Sequence, residues 1–275
     1  MGLFSPNYDK PGKGVEKDAP KKHRIWEFFE IFWEQSSKLI LANFVYSIAM
    51  IPLILGLYLC FKIDFSSASI VVLRYPGQID LVGFILLIIS VFVSFPANLG
   101  FTYILRNIQR RQHAWIWHDF IKHTFRNYSK GVLNGIVNLV MYFLLINAYG
   151  MYRAGVVGGG FLSIYLSTLM LIIIAIFTWM QFYVNTMIIT FDLKFGSVYK
   201  NALIFAIGKL PLNLMISAIC IVLGYILLLI PIPFITFLLG FVVWFSLFGF
   251  IVVFSVYPSI DKHMISKAKE KSEEE

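Results

Sequence analysis

Residues 95–135 read FPANLGFTYILRNIQRRQHAWIWHDFIKHTFRNYSKGVLNG, and this stretch decides the fold. It starts as apolar helix around Pro96 and Asn98, turns basic at Arg106, becomes amphipathic from Trp115 onward and re-enters an apolar run at Gly131. A basic connector bearing tryptophans between two long apolar runs is the joint between two membrane-spanning helices, because Lys, Arg and Trp collect at the membrane surface.

Working outward, long apolar runs occupy residues 39–61, 81–105, 131–152, 161–191, 212–230 and 235–257. Crossing a hydrocarbon layer of about 30 Å takes about 20 helical residues. The chain of 275 residues is 59% hydrophobic and 14% charged, against about 45–50% and about 25% in soluble domains. Barrel strands would alternate apolar and polar residues in segments of about ten, whereas these runs are apolar on every face. The expected fold is an all-α membrane protein with six transmembrane helices and cytoplasmic interfacial amphipathic helices.

The formal charge of +8 is sorted by side. Between successive runs the Lys and Arg counts are seven, two, six, one, three, none and four, so every second segment is rich. The positive-inside rule then places both termini in the cytoplasm, with the chain in the cytoplasmic membrane. Nucleic acid is not an expected partner, since that would need one basic patch on a soluble surface. Residues 1–24 form a basic, Pro- and Gly-bearing cytoplasmic arm without apolar residues for a core, 25–260 a single six-span domain, and 261–275 a charged tail. No removable signal peptide or myristoylation pattern is expected, since Pro6 stands where the latter needs Ser or Thr.

Residues 25–35, IWEFFEIFWEQ, carry Glu27, Glu30 and Glu34 on one stripe opposite Trp26, Phe29 and Trp33, as an interfacial helix would. The acidic stripe is either solvated or docked on a basic neighbour such as Arg110 or Arg111. A second interfacial helix is expected at 115–128 and a third amphipathic connector at 196–209. Setting the three over one another brings Lys38, Lys130 and Lys209 into near register, each followed by an Asn and a further polar residue: Asn43 and Ser47, Asn134 and Asn138, Asn213 and Ser217. This suggests three parallel repeats, 24–105, 114–191 and 196–257; chance recurrence of amphipathic entry helices is the rival account.

The spans hold no ionisable residue away from their borders, and Arg106 sits at an edge. Because ionisable groups at depth mark proton relays and ion paths, a proton-coupled pump is disfavoured. No Walker A, H-E-x-x-H or G-x-S-x-G motif occurs, so neither an enzyme nor a cofactor or metal is expected. Asp119 and His123, at i, i+4 beside His113 and His118, could share a metal or form a plain salt bridge. Cys60 and Cys220 read as small core residues.

Two residue sets stand out. Arg106, Arg110, Arg111, Asp119, Lys122, Arg126 and Lys130 form a charged cytoplasmic face suited to a partner or to anionic lipid headgroups. The amides Asn43, Asn98, Asn134, Asn138, Gln181, Asn185 and Asn213 gather near the inner ends of the spans, and either line a cavity or join helices by hydrogen bonds. Gly131, Asn134, Gly135 and Asn138 share one face, as closely packed membrane helices do.

The start GLFSPNYDKPGKGVEKDAPKKHRIWEFFEIFWE, the segment PANLGFTYILRNIQRR and the segment WHDFIKHTFRNYSKG together resemble the YesL-like family of bacterial membrane proteins. Arg106-Asn107, Asp119-Phe120 and Asn127 match positions typical of that family, while His118 stands where a small polar residue is more usual. The family has no established function or catalytic residues. Its frequent place beside carbohydrate-uptake genes implies an accessory or regulatory role, with sugar ABC transporter components as partners. The expected function is therefore non-enzymatic and exerted through the basic cytoplasmic face; the alternative is a small-molecule or lipid transporter with an amide-lined cavity.

Overall fold

The computed structural model describes residues 23–61, 80–156, 158–230 and 233–265. Residues 1–22, 62–79, 157, 231–232 and 266–275, among them nearly all of the expected N-terminal arm and most of the expected charged tail, lie outside the described residues. Those described form helices and short connections: α1 (Arg24–Glu34), α2 (Ser36–Phe61), α3 (Leu81–Gln109), α4 (Ile116–Arg126), α5 (Tyr128–Arg153), α6 (Phe161–Thr190), α7 (Phe195–Gly208), α8 (Leu210–Leu228), α9 (Pro233–Leu239) and α10 (Phe245–Ile260). A π-helical stretch, Gly240–Trp244, joins α9 to α10, and another, Asp261–Ile265, follows α10. Six helices are long and apolar enough to cross a membrane: Ser36–Cys60, Leu81–Gln109, Tyr128–Arg153, Phe161–Thr190, Leu210–Leu227 and Gly240–Met264.

The order is one short helix and two long ones, three times over, if α9 and α10 count as one interrupted helix. Each short helix meets its long successor at a single residue. Gln35 and Asn127 share φ −108° and ψ 17°, and Lys209 lies close by at φ −114° and ψ 34°. Each of the three still donates its amide four residues back, to Ile31, His123 and Phe205, and accepts from the amide four residues on, in Leu39, Gly131 and Asn213. The chain bends there without losing those two helical bonds. With the bends superimposed, Lys38 and Lys130 stand at the same position, while Lys209 is itself the bend residue, three positions earlier.

The second long helices, α3, α6 and α10, touch one another pairwise at the centre. Leu99 of α3, Tyr183, Val184, Met187 and Ile188 of α6, and Ile251, Val256 and Ile260 of α10 meet there in one buried cluster. Each short helix docks on such a helix from the preceding set. α4 lies on α3 and α7 on α6. α1 closes the circuit on the last helix: Phe28 packs 5.2 Å from Phe250 and 5.3 Å from Phe254, and Arg24 Nη2 donates to the Phe254 carbonyl at 2.7 Å.

One boundary and one helix face differ from the sequence expectation. The last span is longer than 235–257, because the helix runs on through Pro258; a proline near a helix end displaces little of the ladder. The third connector is not amphipathic in the expected sense. Val198, Ala202 and Ala206 are buried, yet Leu203, Ile204 and Ile207 on its outward side are exposed and also apolar, which suits a lipid-facing surface.

The small-residue face of α5 sits against α3. A Cβ placed on Gly131 would come within 2.7 Å of the Pro96 Cα, so the backbones could not keep their spacing. Gly131→Leu is expected to lower stability by about 1–3 kcal/mol, the usual cost of overpacking. Gly159→Leu, where nothing lies within 4 Å, is the neutral control; thermal unfolding in detergent compares the two.

Candidate functional site

The charged residues collect where α3 ends and α4 begins. α3 closes with paired terminal bonds, Arg111 N to Ile108 O and Gln112 N to Asn107 O, and this closure needs a left-handed residue, usually Gly. Arg111 takes that position at φ 51°, the one non-glycine residue with positive φ among the described residues. Its guanidinium reaches α1, with Nη2 3.3 Å from Glu30 Oε1 and Nη1 2.9 Å from Glu34 Oε2. The acidic stripe of α1 is thus docked on Arg111. Arg110, one residue back, is exposed and rests over the Tyr257 ring at 5.8 Å.

Arg106 lies one turn deeper and is only 9% exposed. Its Nη1 donates to Ile189 O at 3.2 Å and to Thr190 Oγ1 at 3.1 Å, tying α3 to the end of α6. The Tyr103 ring lies 4.9 Å from its Cζ, and the His123 imidazole stacks on Tyr103 at 3.4 Å. Burial of His123 pushes its pKa down to about 4, with Arg126, Lys122 and Arg106 acting in the same direction and Asp119 against it. Asp119 is not bonded to His123. Its Oδ2 accepts from the Trp115 amide at 2.9 Å and so closes the start of α4. Lys122 and Arg126 are exposed on α4. Lys130 Nζ meets Asp192 Oδ1 at 3.0 Å, and this bond holds the exposed Asp192 carboxyl below its ordinary range.

The amides fall into separate groups. Asn43 Nδ2 donates to Gly240 O at 3.1 Å, Phe241 O at 2.6 Å and Ser47 Oγ at 3.2 Å, while its Oδ1 accepts from the Ser246 amide at 2.7 Å. It clips the π-helical turn of the last span. Asn134 Nδ2 donates to Asn185 Oδ1, and Asn138 Nδ2 to Asn134 Oδ1 and Gln181 Oε1, at 3.0–3.1 Å. Tyr199 of α7 completes this set by donating to Asn134 Oδ1 at 2.5 Å; burial raises its phenol to about 12, so it stays a donor. Asn213 accepts from Tyr183 Oη at 2.8 Å and donates to Ala206 O at 2.9 Å. Asn98 stands apart with Thr102, whose hydroxyl donates to its carbonyl at 2.7 Å.

Sequence reasoning passed over the tyrosines. Tyr142 continues the spacing of Asn134 and Asn138 and bonds Thr178 at 3.0 Å, so the stripe could have revealed it. Tyr103, Tyr183 and Tyr199 carry no such pattern. Residues 78–149, from just before α3 to late in α5, match the family model described as "Protein of unknown function, DUF624". No curated protein and no solved structure matches the chain.

Two outcomes follow from this geometry. Between pH 6.5 and about 4 the unfolded chain binds a proton at His123 that the folded chain refuses, so stability falls as pH falls through that window, by at most about 1.4 kcal/mol per pH unit. His123→Phe keeps a ring on Tyr103 and should flatten that slope in melting curves. For Arg111, exposed ion pairs contribute about 0–1 kcal/mol, and left-handed backbone costs a non-glycine residue about 1–2 kcal/mol. Arg111→Gly should therefore unfold later than Arg111→Ala in the same assay.

Proposed function

We propose that the chain is a non-enzymatic protein of the bacterial cytoplasmic membrane that acts through the basic end of its bundle, with both termini in the cytoplasm. The carrying observation is how the polar side chains are used. Asn43, Asn134, Asn138, Gln181, Asn185 and Asn213 bond one another, hydroxyls or the backbone, and the centre between α3, α6 and α10 is filled by apolar side chains. Arg110, Lys122 and Arg126 by contrast project exposed from the basic end. Near anionic lipid each such residue is worth about 1 kcal/mol. α1 and α4 are the interfacial helices of this surface, and their exposed Trp26, Trp33, Trp115 and Trp117 suit the headgroup layer.

Three parallel units, 24–105, 114–191 and 196–257, account for the threefold order of elements, the three alike bends and the circular docking of α1, α4 and α7. The match of 78–149 to a domain found in YesL-like proteins supports membership of that family. From that resemblance comes the further part of the proposal, an accessory or regulatory role in carbohydrate uptake beside sugar ABC transporter components.

Orientation is tested with cysteines at Gly159 and Gln112 in a Cys60→Ala, Cys220→Ala background. An impermeant thiol reagent on intact cells should label Gly159→Cys and spare Gln112→Cys; the reverse inverts the topology. Arg110→Gln combined with Arg126→Gln should weaken co-purification of partner or anionic lipid several-fold and leave folding intact. Loss of solute uptake into vesicles with Asn134→Leu and Asn138→Leu, but not with the Arg changes, would replace this function by transport through the amide cluster.

A further inference from the structure

Arg106 differs from the other cations of the basic end. Arg111 is paired with two carboxylates and Lys130 with one, whereas among the described residues no carboxylate meets Arg106, although it is the most buried of them. A guanidinium does not shed its proton in a protein, so burial leaves it charged. Removing such a charge from water without a counter-ion costs several kcal/mol. Its two hydrogen bonds go to neutral oxygens, Ile189 O and Thr190 Oγ1, and both use Nη1.

That leaves the opposite edge. Nε is buried without a partner, and Nε with Nη2 forms one of the flat forks that hold two oxygens of one anion. The fixed tip on α6 and the Tyr103 ring beside the guanidinium hold this fork in place. The groups that act on Arg106 are the phenols of Tyr257 and Tyr103 and, more weakly, another cation, Arg110. Lys122 and Arg126 extend the positive field toward His123. The last full turn of α3 is also where a span meets the headgroup layer.

We propose that Arg106 anchors a binding site for one phosphate group, held on its Nε–Nη2 edge, with Arg110 drawing the anion in. This deepens the proposed role of the basic end and rests on it. The phosphate belongs to a lipid headgroup or to a soluble phosphate compound, and the fork recognises both alike.

The full chain is reconstituted in nanodiscs of phosphatidylcholine, of phosphatidylcholine with phosphatidylglycerol, and of phosphatidylcholine with millimolar inorganic phosphate in the buffer, and its melting temperature is read in each. The wild type should melt higher in at least one of the two anionic conditions than in phosphatidylcholine alone. Arg106→Gln should lose more than half of that rise and, in phosphatidylcholine alone, melt no lower than the wild type, since it sheds an uncompensated buried charge. Arg106→Lys, which keeps the charge and loses the fork, should also lose more than half of the rise, and it carries the test should the Gln variant not fold. A rise with phosphatidylglycerol alone assigns the site to a headgroup, and a rise with inorganic phosphate to a soluble ligand.

Equal destabilisation of Arg106→Gln in all three conditions overturns the proposal and leaves Arg106 as a tie between α3 and α6. No rise for the wild type, or the full rise kept by Arg106→Lys, overturns it as well. This result is distinguishable from the co-purification test of the basic face, because that test alters Arg110 and Arg126 and leaves Arg106 in place.

Discussion

Within lipid no backbone amide or carbonyl can turn to water, and this constraint decides where the polar side chains of the chain are placed. Three of the irregular points of the backbone have an amide beside them. The π-helical turn before α10 leaves backbone groups that Asn43 takes up from α2. At the bend after α7, Asn213 Nδ2 donates to the carbonyls of Phe205 and Ala206, and at the bend after α4, Asn127 Nδ2 donates to the carbonyl of His123. These residues hold the irregular points of the backbone in place, and the regular helices hang between them.

The same economy separates the interior from the basic end. Contacts between helices in lipid bring little hydrophobic gain, and an amide bridge between them contributes about 0.6 kcal/mol. The bundle therefore relies on close approach, as where α5 lies on Pro96, and on several small bonds in concert, as in the set from Asn134 to Tyr199. At the basic end the dominant quantity is charge. There α1, the end of α3 and α4 are tied by ion pairs and stacked rings.

Much of this could be read from the sequence. Apolar runs of twenty residues have few physical solutions, and the basic, Trp-bearing joints between them mark the surface. The stripe of Gly131, Asn134, Gly135 and Asn138 foretold a close contact because it repeats at helical spacing. The role of Asn43 was not legible, since Gly240–Trp244 has no composition that announces a π turn. α7 was misjudged because a short helix facing lipid on its outer side lacks the polar face that identifies an interfacial helix in water. Arg111 gave no sign of its left-handed backbone, which elsewhere falls to Gly. Nor could sequence tell Arg106 from its neighbours, because burial is a property of how α6 lies against α3.

The seat of α1 on α10 has a consequence for how the protein is made. α1 leaves the ribosome long before α10, since Phe250 and Phe254, against which Phe28 packs, are synthesised more than two hundred residues later. Throughout insertion of the intervening spans α1 lacks this seat, although Ile31 can already pack with α3 and α4. Its final berth exists once the last helix is in place, so closure of the ring is a late event in biogenesis, and a chain truncated before α10 would leave Phe28 and Phe32 facing the bilayer as an unburied patch.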